Sequence, residues 1–239
     1  GEKKMVNKTN IMLYLPHNNL SEKIWENEDK MLPEVRKALT KISDEFIDYL
    51  GIDLDVLDVT MTGSLANYNY TPFSDIDLHI MIDTSSVNED IDLVEEFFNA
   101  KKKFWNDRHD IMIRGSEVEL YPQDINLESV TTGVYSVQED KWLIKPKRFK
   151  DEFDKESVSK KSNILRKEIQ IAINNSRKDM DTEPINKMLK KLKKFRQSGL
   201  EKSGELADEN VTYKIIRDLG LLQKLFDVKY DIEDRKLSI

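Results

Sequence analysis

Cysteine is absent from the 239 residues, which excludes a disulfide framework and a thiolate zinc site and leaves a reducing cytoplasm as the expected compartment. No apolar run approaches the length of a membrane-spanning helix, and the first residues lack the apolar core of a signal peptide, so no membrane partner is expected. Positive charge is in deficit: 38 Lys and Arg against 45 Asp and Glu give a formal charge of −7. That balance argues against bulk, nonspecific binding to a polyanion while leaving room for a local basic groove. No internal repeat is present. What remains, 35% charged and 38% hydrophobic over a length that can bury a real core, suits a helix-rich globular chain of one large or two small domains.

Hydrophobic periodicity changes near residue 150. Before it, Val56–Met61, Ile76–Ile82, Asp110–Arg114, Glu117–Tyr121, Gly133–Val137 and Lys141–Ile144 read as strands, the last two joined as a hairpin. Met12–Leu15 reads as a short strand or packing segment, and Ser21 as the cap of a short helix around Trp25. Pro33 suits the first turn of a helix whose Val35, Leu39, Ile42, Phe46 and Leu50 form a core stripe ended by Gly51. Val87–Lys103 is expected to be helical, with Lys101, Lys102 and Lys103 as its last turn, either solvated or in contact with a ligand. After residue 150 three amphipathic helices are expected, over Ser157–Asn174, Pro184–Gln197 and Asp208–Phe226, with Ser198-Gly199 and Gly204 breaking the last two apart and Tyr230–Ile239 frayed. The expected class is α+β (mixed α/β): a mixed sheet flanked by helices in residues 1–150, then a C-terminal helical domain in 151–239.

The chemistry concentrates in Gly63–His79. Side chains alternate along a strand, so Asp75 and Asp77 project to one face while Ile76, Leu78, Ile80 and Ile82 project to the other. Two carboxylates held that close repel, and a divalent cation relieves the repulsion; hard oxygen donors suit Mg²⁺ or Mn²⁺. Gly63-Ser64 follows a strand. A glycine there lets the backbone approach a phosphate, and Ser64 adds a hydroxyl beside amides that can open a short helix. An anion cradle beside a cation holder fits a metal-bound triphosphate.

This glycine-serine, a spacer of ten residues and an Asp-Ile-Asp-Leu strand resemble the DNA polymerase β-like nucleotidyltransferase superfamily, with Gly63, Ser64, Asp75 and Asp77 at the motif positions; Thr62 stands where that family usually has an apolar residue. The motif covers under a tenth of the chain. The resemblance implies a nucleotidyltransferase-like sheet and a third carboxylate on a neighbouring strand, for which Glu119 is the candidate, with Glu117 and Asp124 as competitors. It also implies transfer of a nucleoside monophosphate from an NTP to an acceptor hydroxyl with loss of pyrophosphate: Asp75 and Asp77 bridging two ions, Glu119 holding the ion that activates the acceptor. The acceptor, whether a small molecule, a protein or an RNA 3′ end, is open.

Several side chains have two readings each. His79 shares parity with the aspartates and is either beside the site or packed on the sheet. Asn67, Tyr68, Asn69 and Tyr70 either meet base and ribose or pack the loop, and Ser74 is placed to steady Asp75. Lys145, Lys147 and Arg148 either meet a polyanion or form a solvated linker. The basic stretch Lys187–Arg196 either coats a soluble helix or contacts nucleic acid. Two further functions therefore compete with the enzyme: a silent nucleotide-binding or antitoxin-like interaction module, and a nucleic-acid-binding protein that uses helix 184–197.

Overall fold

The computed structural model describes residues 10–88, 90–126 and 132–238. Of the irregular start expected over residues 1–20, residues 1–9 lie outside them, as does the last residue of the frayed end, Ile239. The chain divides into two compact units, one formed by Pro16–Lys150 and one by Asp151 onward together with the segment up to Leu15. That short segment, expected within domain 1–150, belongs with the helices instead. Among the described residues the class is mixed α+β, with a six-stranded mixed sheet and six α-helices. None of these helices is long and apolar enough to cross a membrane.

The sheet unit contains α1 (Pro33–Leu50), β1 (Val56–Thr62), β2 (Ile76–Ile82), α2 (Ile91–Arg108), β3 (Met112–Ile113), β4 (Ser116–Asp124), β5 (Val134–Ser136) and β6 (Lys141–Ile144). Strand order is β3-β4-β2-β1-β5-β6; β2 and β4 run parallel, and the other neighbouring pairs are antiparallel. Period-two patterning sets the faces. Ile76, Leu78, Ile80 and Ile82 are buried while Asp77, His79 and Met81 are half-buried, and β4 repeats this with Val118 and Leu120 against Glu117, Glu119 and Tyr121. Each fully buried aliphatic side chain contributes about 1.5–3 kcal/mol. Parallel neighbours need a crossover, and α2 supplies it, placing Val94, Phe98 and Trp105 in the same core. Helix α1 adds Val35, Leu39, Phe46 and Leu50.

Two local expectations fail here. No helix forms around Trp25; the segment bends, Trp25 pairs with Met31 as an isolated bridge, and the indole donates to the Leu65 carbonyl at 2.7 Å. Stacking on Trp142 at 4.5 Å and edge contact with Tyr135 at 4.9 Å outweigh the weak helix preference that Ser21 offered. Helix α2 begins later than Val87, where Asp90 accepts from the Leu93 N–H at 3.1 Å, and runs on to Arg108, so Lys101–Lys103 are not its last turn.

The helical unit contains α3 (Lys155–Asp179), α4 (Glu183–Ser203), α5 (Asp208–Asp218) and α6 (Leu221–Leu237). It is a four-helix rather than a three-helix unit: Gly220, at φ 72°, ends the expected 208–226 helix and lets α6 run through the segment expected to fray. Ser198-Gly199 does not break α4. A β-carbon on Gly199 would lie 2.6 Å from the Glu209 β-carbon, so that glycine marks a close crossing of α4 and α5, and the break comes at Gly204. Residues Ile11–Tyr14 form a 3₁₀ turn rather than a strand. Among the described residues this unit holds no strand to pair with, and Tyr14 packs on Phe153, Val158, Val211 and Ile215 while donating to Asp218 at 2.9 Å.

The turn from α4 to α5 is held by charge. Lys214 pairs with Glu205 at 3.1 Å, and Asn210, fully buried, donates to the Glu205 carbonyl at 2.7 Å. Burial alone would raise the Glu205 carboxyl, but the Lys214 ammonium, then Arg196 and Asn210, outweigh it and hold the acid below its ordinary 4.5. A depressed folded pKa adds stability that is present above the unfolded value and lost as pH falls through the folded one. Lys214→Met is therefore expected to cost about 1–2 kcal/mol at neutral pH, with the difference from wild type shrinking once Glu205 is protonated. Urea unfolding at pH 7 and again well below 4.5 checks it; an equal cost at both would sink the ion-pair account.

Candidate active site

The loop between β1 and β2 is built around Gly63. Its backbone, φ 79° and ψ −168°, lies where only glycine is comfortable, and a β-carbon there would sit 1.9 Å from Asp77 Oδ2. The missing side chain is thus the space that the Asp77 carboxylate occupies. Ser64–Ala66 follow as a 3₁₀ turn, pinned by the Trp25 indole on Leu65. The loop closes through Ser74, whose Oγ lies 2.7 Å from Ser64 Oγ and accepts the Thr71 N–H at 2.8 Å. Ser74 ties the cradle to the start of β2.

Register brings the acids together. Thr62 of β1 faces Asp77 of β2, and Asp77 in turn is level with Glu119 on the parallel neighbour β4. Asp75 immediately precedes Ile76, the first residue of β2 and the partner of Val118, and so lies just outside the paired strand. Asp124 is level with Ile82 at the far end of the strand, about 16 Å from Glu119 at the rise of a strand. There it accepts from Thr84 and from the Asn126 N–H at 2.9 Å.

The electrostatics couple the neighbouring groups on this face. The Tyr121 phenol donates to Glu119 and is pushed far up, first by burial and then by Glu119, Asp77 and Asp75. One phenol feels all three carboxylates. Glu117 is raised by burial and then by Glu119 and Asp110. His79 sits behind the acids: its ring stacks on Tyr121 at 5.1 Å, Nε2 lies 3.0 Å from Thr62 Oγ1, and burial pushes the imidazole down to about 4, so it is neutral at physiological pH. Lys102 of α2 places its ammonium 4.7 Å above the Tyr121 ring. The Lys101–Lys103 run is visible in the sequence, but only the packing of α2 on β4 brings one of its ammonium groups to Tyr121.

The remaining loop residues make internal contacts. Tyr68 is buried and donates to Glu28, Asn67 donates to Thr132 at 2.5 Å, and Tyr70 donates to the Asn19 carbonyl at 3.2 Å with His17 stacked on its ring. Lys145 pairs with Asp29, and Arg148 reaches Glu28 at 3.4 Å and the Asn18 carbonyl at 2.6 Å.

For the divalent cation that the resemblance implies, the donors are the right kind: hard carboxylate oxygens on two neighbouring strands, with room for Asp77 secured by Gly63. The side chains are not gathered on one point. Among the described residues no three Asp, Glu or His groups stand where they could share an ion, and Glu119 is engaged with Tyr121. The strand register sets Asp77 and Glu119 level, but with Glu119 bonded to Tyr121 the side chains as placed do not form a shared ligand set. Comparison with protein-family models, with curated proteins and with solved structures yields no match.

Proposed function

We propose that the chain is a metal-dependent nucleotidyltransferase that joins a nucleoside monophosphate from an NTP to an acceptor hydroxyl and releases pyrophosphate. The observation that carries the reading is the registered pair Asp77 and Glu119, one strand position apart across the sheet, with Gly63 packed against Asp77. A buried structural role offers no reason to level two acids across parallel strands beside a glycine that only its own lack of a side chain permits. Phosphoryl transfer does.

In this reading half-buried Ser64, at the head of the turn, would receive anionic oxygens of the triphosphate through its backbone N–H and its hydroxyl. Asp75, Asp77 and Glu119 would hold Mg²⁺ or Mn²⁺, which supplies charge stabilisation for the entering and leaving oxygens when bound. Tyr121 holds Glu119 until it turns toward the ion, and neutral His79 with Thr62 keeps the floor of the site rigid without adding charge. The acceptor oxygen attacks the α-phosphorus, its hydroxyl proton passing to solvent, as the bond to the pyrophosphate oxygen breaks.

Incubation of the whole chain with each α-labelled NTP, Mg²⁺ or Mn²⁺, and pools of RNA, small-molecule and protein acceptors should release pyrophosphate and label one pool. If no nucleotide is transferred, and calorimetry detects no nucleotide binding with either metal, the reading is wrong.

A further inference from the structure

Helix α4 carries seven cationic side chains against two acidic ones, a local excess of +5 in a chain of net −7. The excess is not spread evenly. Lys187, Lys190, Lys191 and Lys194 recur at intervals of three, one and three, which confines them to one arc of the helix. The buried positions Ile185, Met188 and Leu192 occupy the other side. The four lysines line an open groove of about 570 Å³, with Phe195 on one wall and Glu209 on the opposing α5 wall. Beside the groove Gly199 lets the two helices approach closely: a β-carbon there would lie 2.6 Å from the Glu209 β-carbon.

The fold uses only part of this charge. Lys191 pairs with Glu168 at 2.7 Å and Lys187 with Glu183 at 3.5 Å, while Glu209 is taken by Lys161 at 2.6 Å. Among the described residues Lys190, Lys193 and Lys194 form no ion pair. Holding several ammonium groups side by side costs repulsion that an anionic partner relieves. We propose that this face of α4 is a docking surface for the phosphate backbone of a single-stranded nucleic acid. Lysines act as point charges without the planar fork of arginine, so the surface reads charge and spacing rather than base edges. Half-buried Phe195 offers an aromatic surface on which a base can stack. Phosphates also stay ionised at fixed spacing, which matches a regular row of cations. The inference stands on the helical unit alone and does not depend on the carboxylate cluster.

The test is fluorescence anisotropy of the whole chain with labelled uridine and thymidine oligonucleotides of about twenty nucleotides, between about 50 and 200 mM salt. Lys190→Ala/Lys194→Ala is expected to weaken binding about tenfold at the low-salt end and to reduce the salt slope by about 1.4, at about 0.7 for each lost phosphate contact. A charge-matched control, Lys178→Ala/Lys224→Ala on α3 and α6, should bind as wild type. Alanine raises helix propensity at these exposed positions, and Lys190→Gln/Lys194→Gln gives a second variant with the same loss of charge. Wild type that does not bind at the low-salt end, or either α4 variant binding as wild type, overturns the proposal. Displacement of the oligonucleotide by polyglutamate at equal charge overturns the nucleic-acid assignment in favour of any acidic chain.

Discussion

Asp77→Asn is expected to lower nucleotide transfer about a thousandfold, the upper range for removing one electrostatic stabiliser, while the thermal unfolding midpoint barely moves. The substitution keeps the shape beside Gly63, where the carboxylate oxygen fills the space a β-carbon would take. It removes one negative charge from the end of the sheet where Asp75, Asp77 and Glu119 all press on the Tyr121 phenol. Stability is therefore expected to stay within about 1 kcal/mol of wild type, because relief of repulsion offsets lost hydrogen bonding. Steady-state transfer assays and thermal scans on the same preparation check both halves. Activity that survives the exchange would remove Asp77 from the chemistry and leave the acids as surface charge.

Gly63→Ala should damage both stability and activity, and for a reason that can be separated into parts. The alanine must adopt φ 79°, ψ −168°, a conformation that costs about 1–3 kcal/mol outside glycine. Its β-carbon also meets Asp77 Oδ2 at 1.9 Å and Cγ at 2.9 Å, so the carboxylate has to leave its position. We expect a total loss of about 3 kcal/mol in urea unfolding, together with loss of transfer because Asp77 is displaced. A double-mutant cycle distinguishes the two causes. In an Asp77→Ala background the side-chain clash largely disappears while the backbone strain stays, so the cost of Gly63→Ala should fall but not vanish. An identical cost in both backgrounds would mean that the glycine answers only to the loop's backbone and not to the carboxylate.

The period-two runs of Ile76–Ile82 and Val118–Leu120 and the Pro33-to-Gly51 helix were legible because burial of one face leaves its period in the sequence. The misreadings share one cause. Ser198-Gly199 looked like a stop and Gly220 like an interior residue, yet the first glycine serves a helix crossing and the second a left-handed turn, and local sequence does not separate those uses. Gly220 preceding a fresh Leu221-Leu222 repeat was the available signal. Trp25 was read from its neighbours, although its conformation is decided by Leu65, Trp142 and Tyr135, which are distant in the chain.

The candidate site divides in the same way. Strand parity reads Asp77 to the face opposite Ile76 and Leu78 without knowledge of the rest of the molecule, whereas Asp75, expected on the same face, lies just ahead of the strand, where parity does not fix a side chain. Sequence also nominated Glu119, but it had no means of levelling it with Asp77, because parallel register is set by how α2 packs across the sheet and not by either strand. Tyr121 on Glu119, His79 held neutral against Thr62, and Lys102 above the phenol belong wholly to the tertiary structure. Each depends on which side chains of separate elements meet, and that is decided by long-range packing, which local periodicity does not encode.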